Sequence, residues 1–302
     1  MKVFLTGATG YIGSHLTPIL LSAGHDLSVL ARSNVAAENL GKQGIAIVRG
    51  SLEDVDILTK AASEADAVIH LAYIHDFENY DDKPIQVDNA AIRALAEGLK
   101  GSNKPLLISS VLLLGTSYAT ELDPATLGPR AQAERTLLEY TSRGVRTGIV
   151  RLPNVHGDND KAFVPHVIAQ SRKNGVAAYV GEGKTHWAAV HVKDAVQVYK
   201  LAVESKVLKG GEVLHAVHDE GVESKKLIEL IASKLGVETK SITPEEAATF
   251  YTFLGPFVQA DITGTSKLTR KLLGWEPKEK TLLEDLEASE TYFATGNGSK
   301  YQ

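Results

Sequence analysis

The sequence predicts an α/β fold: a doubly wound parallel sheet followed by a smaller, mainly helical C-terminal region for substrate. Three observations carry this. Short apolar runs alternate with amphipathic stretches through the first half of the chain, as in strand–helix–strand crossovers. Runs such as "AVIHLA" (67–72) and "PLLISSVLLL" (105–114) suit parallel strands that are covered on both faces. The first run leads into "TGATGYIG" (6–13), where Gly7, Gly10 and Gly13 recur at every third position between a strand and a helix.

Taken in order, strands are expected at Lys2–Thr6, Leu27–Ala31, Ala46–Val48, Ala67–Leu71, Leu106–Ser109 and Thr147–Val150. Helical spacing separates them near 12–23, 34–42, 54–63, 86–100 and 129–143. After Arg151 the pattern changes. A turn-rich stretch, "RLPNVHGDND", precedes a helix near 161–174, a strand near 177–180, a helix near 194–204 and a strand in "EVLHAV". The remainder reads as helical at 224–235, 244–253, 265–273 and 281–294. The expected division is a dinucleotide-binding domain of residues 1–155 plus about 187–218, and a substrate domain of about 156–186 and 219–302. No Pro/Gly-rich linker separates them, so the two should meet over a shared cleft.

Composition narrows the function. The 302 residues are 43% hydrophobic and 23% charged, enough to bury a large core. A net charge of −5 gives no basic footprint for nucleic acid. With no cysteine, disulfides, thiolate metal sites and a cysteine nucleophile are excluded. No stretch approaches a membrane span, and the chain enters a strand at once, so neither a membrane partner nor a cleaved signal peptide is expected. A cytoplasmic protein is the expectation. The polar tail "GNGSKYQ" (296–302) is expected to fray. "HGDND" and "YIHDFENYDD" collect His and acids without metal-ligand spacing, so no metal is expected.

The glycine stretch suits a pyrophosphate. Free N–H groups and the positive dipole end gather at a helix N-terminus. Gly7 can make the tight turn, Gly10 can admit the phosphate, and Gly13 lets the helix sit close to the strand. The second strand ends "SVLARS", with no acid for the ribose hydroxyls. Arg32 and Ser33 instead offer a cation and a hydroxyl for a 2′-phosphate. NADP(H) is therefore the expected coenzyme, with NAD(H) as the alternative.

The motifs "TGATGYIGSHL", "VIHLAY", "LLISSVLLLG", "RLPNVHGDND", "AVHVKDAV" and "LLGWEPK" follow one another as in the extended short-chain dehydrogenase/reductases. The chain resembles that Rossmann-fold superfamily from about residue 2 to 293, and most resembles its atypical, epimerase-like subgroup. The resemblance implies coenzyme contacts at Gly7, Gly10, Tyr11, Ile12 and Gly13, at Ser51 and Leu52 beside the adenine, and at Leu71, Ala72 and Tyr73 under the ribose. It further implies coenzyme contacts at Ser109, Arg130 and Pro153, with Arg130 at the position that holds the nicotinamide ribose. Ser110, five residues before Gly115, matches the catalytic serine. The helix at 86–100 is similar to one that forms a dimer bundle in the family, so a homodimer is an expected assembly.

One departure matters most. The family's Tyr-x-x-x-Lys pair aligns, through Ala133-Glu134, with Thr126 and Arg130. A threonine hydroxyl does not titrate near neutrality and is a poor general acid. Arg130 keeps the charge. Tyr73, His75 and Tyr118 are the candidates for the missing acid. Tyr73 and His75 leave the fourth strand at its C-terminal end, where ligands bind in open parallel sheets. His156, after the sixth strand, is a candidate substrate contact together with His75. His70 reads as a core histidine, His191 as a brace before a helix, and Asp194 as a first-turn acid.

The expected function is hydride transfer from NAD(P)H to the carbonyl of a small aldehyde or ketone. Alternatives are an epimerase-like isomerase with bound NAD, and a non-catalytic NADP(H) sensor.

Overall fold

The computed structural model describes residues 1–75, 82–116 and 118–294, so the expected fraying of the tail lies outside the described residues. Seven strands form the main sheet: β1 (Lys2–Thr6), β2 (Asp26–Ala31), β3 (Ala46–Arg49), β4 (Ala67–His70), β5 (Pro105–Val111), β6 (Arg146–Leu152) and β10 (Glu212–His215). Their order is β10-β6-β5-β4-β1-β2-β3, and every pairing is parallel. Right-handed crossovers move outward from β1 in one direction and from β4 in the other. The crevice between β1 and β4 is thus the topological switch point, where ligands bind in open α/β sheets.

The strands alternate between two apolar layers. Val3, Leu5, Ile69, Leu107 and Val150 face α1 (Tyr11–Ser22), α2 (Asn34–Gly41) and α7 (Val192–Glu204). Phe4, Val68, Leu106, Ile108 and Ile149 face α3 (Val55–Glu64), α4 (Lys83–Leu99) and α5 (Gly128–Leu138). Both faces are dry, which explains the unbroken apolar runs.

A third apolar cluster lies over the C-terminal edge of the sheet. It draws on α6 (Phe163–Asn174), α8 (Ser224–Leu235), α9 (Pro244–Tyr251) and α12 (Leu282–Ala288). This region holds more strand than its sequence suggests. β7 (Asn154–His156), β9 (His186–His191) and β11 (Asp219–Glu223) form one small sheet. β8 (Val176–Val180) pairs with β12 (Glu238–Ile242) in another. In β12 only Ile242 is buried, so no apolar alternation marks it as a strand. α10 (Gly255–Gln259) and α11 (Lys267–Leu273) complete the α-helices among the described residues.

The "LLGWEPK" segment is fastened to the start of α7. Asp194 accepts the backbone N–H of Lys278 at 3.0 Å and of Glu279 at 2.9 Å, and its carbonyl accepts the Trp275 indole. His191 caps the same helix, its Nδ1 accepting from the Lys193 N–H.

Gly13 shows how tightly α1 meets β1. A Cβ there would lie 2.1 Å from the Gly7 carbonyl oxygen and 2.8 Å from Ala8 Cα. Gly13→Ala is expected to cost about 1–3 kcal/mol by overpacking. Chemical denaturation checks this: a smaller midpoint with an unchanged slope is the expected outcome.

Candidate active site

The glycine loop fits a dinucleotide. Gly7 adopts φ +78°, and a Cβ on it would meet the Ala72 nitrogen at 2.7 Å. The exit of β4 therefore runs directly against the turn. Gly10 is the extended N-cap of α1 and offers no side-chain cap, so the N–H groups of the first turn face outward. This is a cradle for a pyrophosphate. Ile12 packs into the core. The Tyr11 ring turns toward the C-terminal region, and its hydroxyl is buried without a partner.

At the end of β2, Arg32 and Ser33 are exposed. The Ser33 hydroxyl oxygen caps α2 by accepting from the Ala36 N–H at 3.1 Å. Arg49, from the end of β3, reaches this turn with three hydrogen bonds. The Ser51 hydroxyl donates to Asp54 at 2.8 Å, while Leu52 is buried in the core.

Beneath the switch point runs a chain of polar side chains. The Ala72 N–H donates to Thr6 Oγ1 at 3.3 Å, and Thr6 Oγ1 meets His70 Nδ1 at 2.7 Å. His70 Nε2 lies 3.1 Å from Asp88 Oδ1, and Asp88 Oδ2 accepts from Arg130 at 2.7 Å. A neutral His70 protonated on Nε2 satisfies every bond in the series. The second Arg130 nitrogen donates to the Ser109 carbonyl. The Arg130 guanidinium stacks over the Tyr73 ring, 4.9 Å from its centroid. His75 lies edge-on to Tyr73, with centroids 5.2 Å apart.

This arrangement sets two acidities. Burial pushes the Asp88 carboxyl up, but hydrogen bonding to His70 and the Arg130 charge outweigh it and hold it below its ordinary value. Burial raises the Tyr73 phenol; Arg130 pulls it back, and Asp88 adds to the rise. Asp88 and His70 were not singled out as site residues from sequence. The available signal was an acid on the buried stripe of α4 with Pro84, Ile92, Leu95 and Leu99.

Ser110 lies elsewhere. β5 stays extended through Val111, with Ser110 paired to Arg151 and Val111 to Leu152. Ser110 therefore faces α5 with Leu106 and Ile108. It is 2% exposed and donates to Glu134 Oε1 at 2.5 Å. Glu134 is held by Arg151 through two bonds of 3.0 and 2.8 Å. The Ser110 hydroxyl thus braces β5 against α5, rather than opening to a substrate oxygen. The neighbouring Ser109 hydroxyl shares a 2.7 Å bond with the buried Tyr199 phenol.

Thr126 precedes α5 and donates to the Leu114 carbonyl at 2.9 Å, so its hydroxyl is committed to backbone. Tyr118, 42% exposed, donates to Glu220 in β11 at 2.7 Å. That bond raises its pKa and ties it to the small sheet, apart from the Arg130 chain. Leu71 and Ala72 line the β4 exit beside Gly7. Pro153 is buried between β6 and β7.

His156 is fully buried. Its Nδ1 contacts Asp285 at 2.8 Å, its Nε2 has no partner, and its ring meets His191 edge-on at 5.3 Å. Asn154, two residues earlier and on the same strand face, is 8% exposed with both amide atoms unpartnered. Asn154 and His156 thus present unpartnered polar atoms on one strand face. Below them Asp160 accepts from the Ala162 N–H at 2.8 Å and from the Tyr292 hydroxyl at 3.2 Å.

The fold and the glycine cradle together define a dinucleotide-binding α/β protein. The chain belongs to the NAD dependent epimerase/dehydratase family, which it matches over residues 3–216. It is 40% identical over 299 residues to an uncharacterized protein of Schizosaccharomyces pombe, covering 97% of this chain and all of that one. It is 26% identical to a sterol-4-alpha-carboxylate 3-dehydrogenase (decarboxylating) of Dictyostelium discoideum, over 94% of this chain and 93% of the relative. Among solved structures it is similar to the UDP-glucuronic acid 4-epimerase of Bacillus cereus in complex with NAD. The TM-score is 0.75 at 19% identity, over 97% and 98% of the two chains. No helix among the described residues is long and apolar enough to cross a membrane.

Burial raises the Asp160 carboxyl to about 7. Its folded pKa lies above its ordinary value of 3.8, so its contribution to stability is fully present below 3.8, falls as pH rises between 3.8 and about 7, and is gone above that. The melting temperature of Asp160→Asn relative to wild type is expected to rise between pH 5 and pH 8. Thermal melts at the two pH values check this.

Proposed function

We propose that the protein is an NAD(P)H-dependent oxidoreductase that reduces the carbonyl of a small aldehyde or ketone, with NADP(H) preferred. The observation that carries the reading is the Arg130 guanidinium fixed over the Tyr73 ring at the switch point. In this reading the tyrosine–cation pair of the wider superfamily is rebuilt from β4 and α5, with Tyr73 in place of a residue on the helix. Support comes from the family membership, from a relative named as a dehydrogenase, and from a structural neighbour solved with NAD.

Bound reduced nicotinamide supplies the hydride. The chain's own residues do the rest. The first-turn N–H groups after Gly10 hold the pyrophosphate. Gly7 and Gly13 keep the loop clear of side chains. Arg130, restrained by Asp88, offers its remaining donors to the nicotinamide ribose. As negative charge grows on the carbonyl oxygen, the Tyr73 hydroxyl hydrogen-bonds to it and delivers a proton. Arg130 then stabilises the resulting phenolate, and His75, beside the ring, returns the proton from solvent. Asn154 and His156 orient the substrate from the opposite wall. Ser110 acts through Glu134 and the strand end, as a positioning residue.

A second reading, an isomerase with retained NAD, draws on the likeness to an epimerase. NAD released on denaturing the purified protein would favour it.

Tyr73→Phe is expected to lower kcat toward a panel of small aldehydes and ketones by about 10²–10⁴-fold, with NADPH affinity retained. Thr126→Val is expected to leave kcat within about twofold, because the hydroxyl it loses serves only a backbone carbonyl. Steady-state kinetics with NADPH, and coenzyme binding by fluorescence, check both.

A further inference from the structure

The end of β2 carries more than the one arginine its sequence points to. Arg49 closes β3, where it pairs in register with Ala31. Its guanidinium reaches forward over the following turn. Nη1 donates to the Ser33 carbonyl at 2.6 Å, and Nη2 donates to the Arg32 carbonyl at 3.2 Å and to Asn34 Oδ1 at 2.8 Å. All three acceptors are uncharged, so they hold the arginine in place without cancelling its charge. Arg32 and Arg49 are both exposed, and neither forms an ion pair with an acid among the described residues. Asp26 stands at the far end of β2, and Asp54 is engaged by the Ser51 N–H and hydroxyl. In a chain of net charge −5, two arginines at neighbouring strand ends with no acidic partner among the described residues stand out. The Ser33 hydroxyl accepts from Ala36 and keeps its own hydrogen to donate.

We propose that Arg49 is a specificity-determining residue for the coenzyme. It sets the Arg32–Ser33–Asn34 turn and, with Arg32, makes a two-cation pocket for a phosphate monoester on the ribose 2′ oxygen. The proposal rests on the dinucleotide reading above and deepens it. The planar guanidinium spans two carbonyls and an amide at once, a geometry that a lysine ammonium cannot copy. Arg49 therefore acts through shape as well as charge. The absence of an acid at this turn removes the competing preference for free ribose hydroxyls.

Isothermal titration with adenosine 2′,5′-bisphosphate and with AMP tests the pocket without turnover. Wild type, Arg49→Met, Arg49→Lys and Arg32→Ser are compared, with melting temperatures to confirm folding. Wild type is expected to favour the bisphosphate by about 100-fold, and Arg49→Met to lose about tenfold of that preference while AMP binding holds. Arg49→Lys is expected to recover only part of the loss. Arg49→Met with the wild-type preference, alongside an Arg32→Ser that loses it, would overturn the role of Arg49 alone. Equal weakening of both ligands would overturn it as well, as a general loosening. Wild type binding both nucleotides alike would overturn the NADP preference itself. Binding neither would overturn the dinucleotide reading.

Discussion

Asp88 and Arg130 meet at 2.7 Å with relative exposures of 2% and 8%, and five elements converge on that ion pair. Asp88 comes from α4 and Arg130 from α5. His70 joins them to β4, Thr6 to β1 and the Ser109 carbonyl to β5. Two charges this deep are costly to desolvate, and removing one partner of such a pair typically costs about 3–5 kcal/mol. The pair is tolerable because its main neighbours are hydrogen-bonded in sequence, from the Ala72 N–H to the Ser109 carbonyl. Tyr73 stacks on the guanidinium that results.

A second buried network lies one helical turn away. Arg130 and Glu134 stand four residues apart on α5, yet serve different clusters. Glu134 holds Ser110 and Arg151, and Arg151 in turn reaches the Asp123 carbonyl and His215. Burial drives the His215 pKa down to about 4, so at neutral pH it is an uncharged neighbour for Arg151. Between them these networks fix α5 against the ends of β5 and β6. They also fix what Thr126 can do. It lies before the helix starts at Gly128, whose φ is +76°, and its hydroxyl turns to the Leu114 carbonyl. Under the proposed reading, chemistry at the switch point falls to groups that leave β4.

Much of this was legible in the residues. The strand runs of the main sheet follow from apolar blocks buried on both faces, and the glycine spacing follows from the contact of Gly13 with Gly7. Tyr73 and His75 are legible because parallel sheets place ligands at strand ends. What escaped depends on partners distant in sequence. Asp88 is an acid inside an apolar helical stripe, and only the approach of His70 and Arg130 gives it a purpose. Arg49 looks like any surface arginine until the β2–β3 register brings it beside Ala31. Ser110 matches a family pattern, but the strand runs on to Val111 and keeps its side chain turned to α5. The small strands β7, β11 and β12 carry too few apolar positions to declare themselves.

The central claim is that Arg130, restrained by Asp88, holds the Tyr73 phenol below the value that burial alone would give it. NMR titration of protein carrying ¹³C-labelled tyrosine, with the Tyr73 signal assigned by its loss in Tyr73→Phe, tests it most directly. The account predicts an order of phenol pKa values: Asp88→Asn lowest, wild type between, and Arg130→Met highest, since Asp88 raises and Arg130 lowers the value. An unchanged Tyr73 pKa across the three proteins would contradict it.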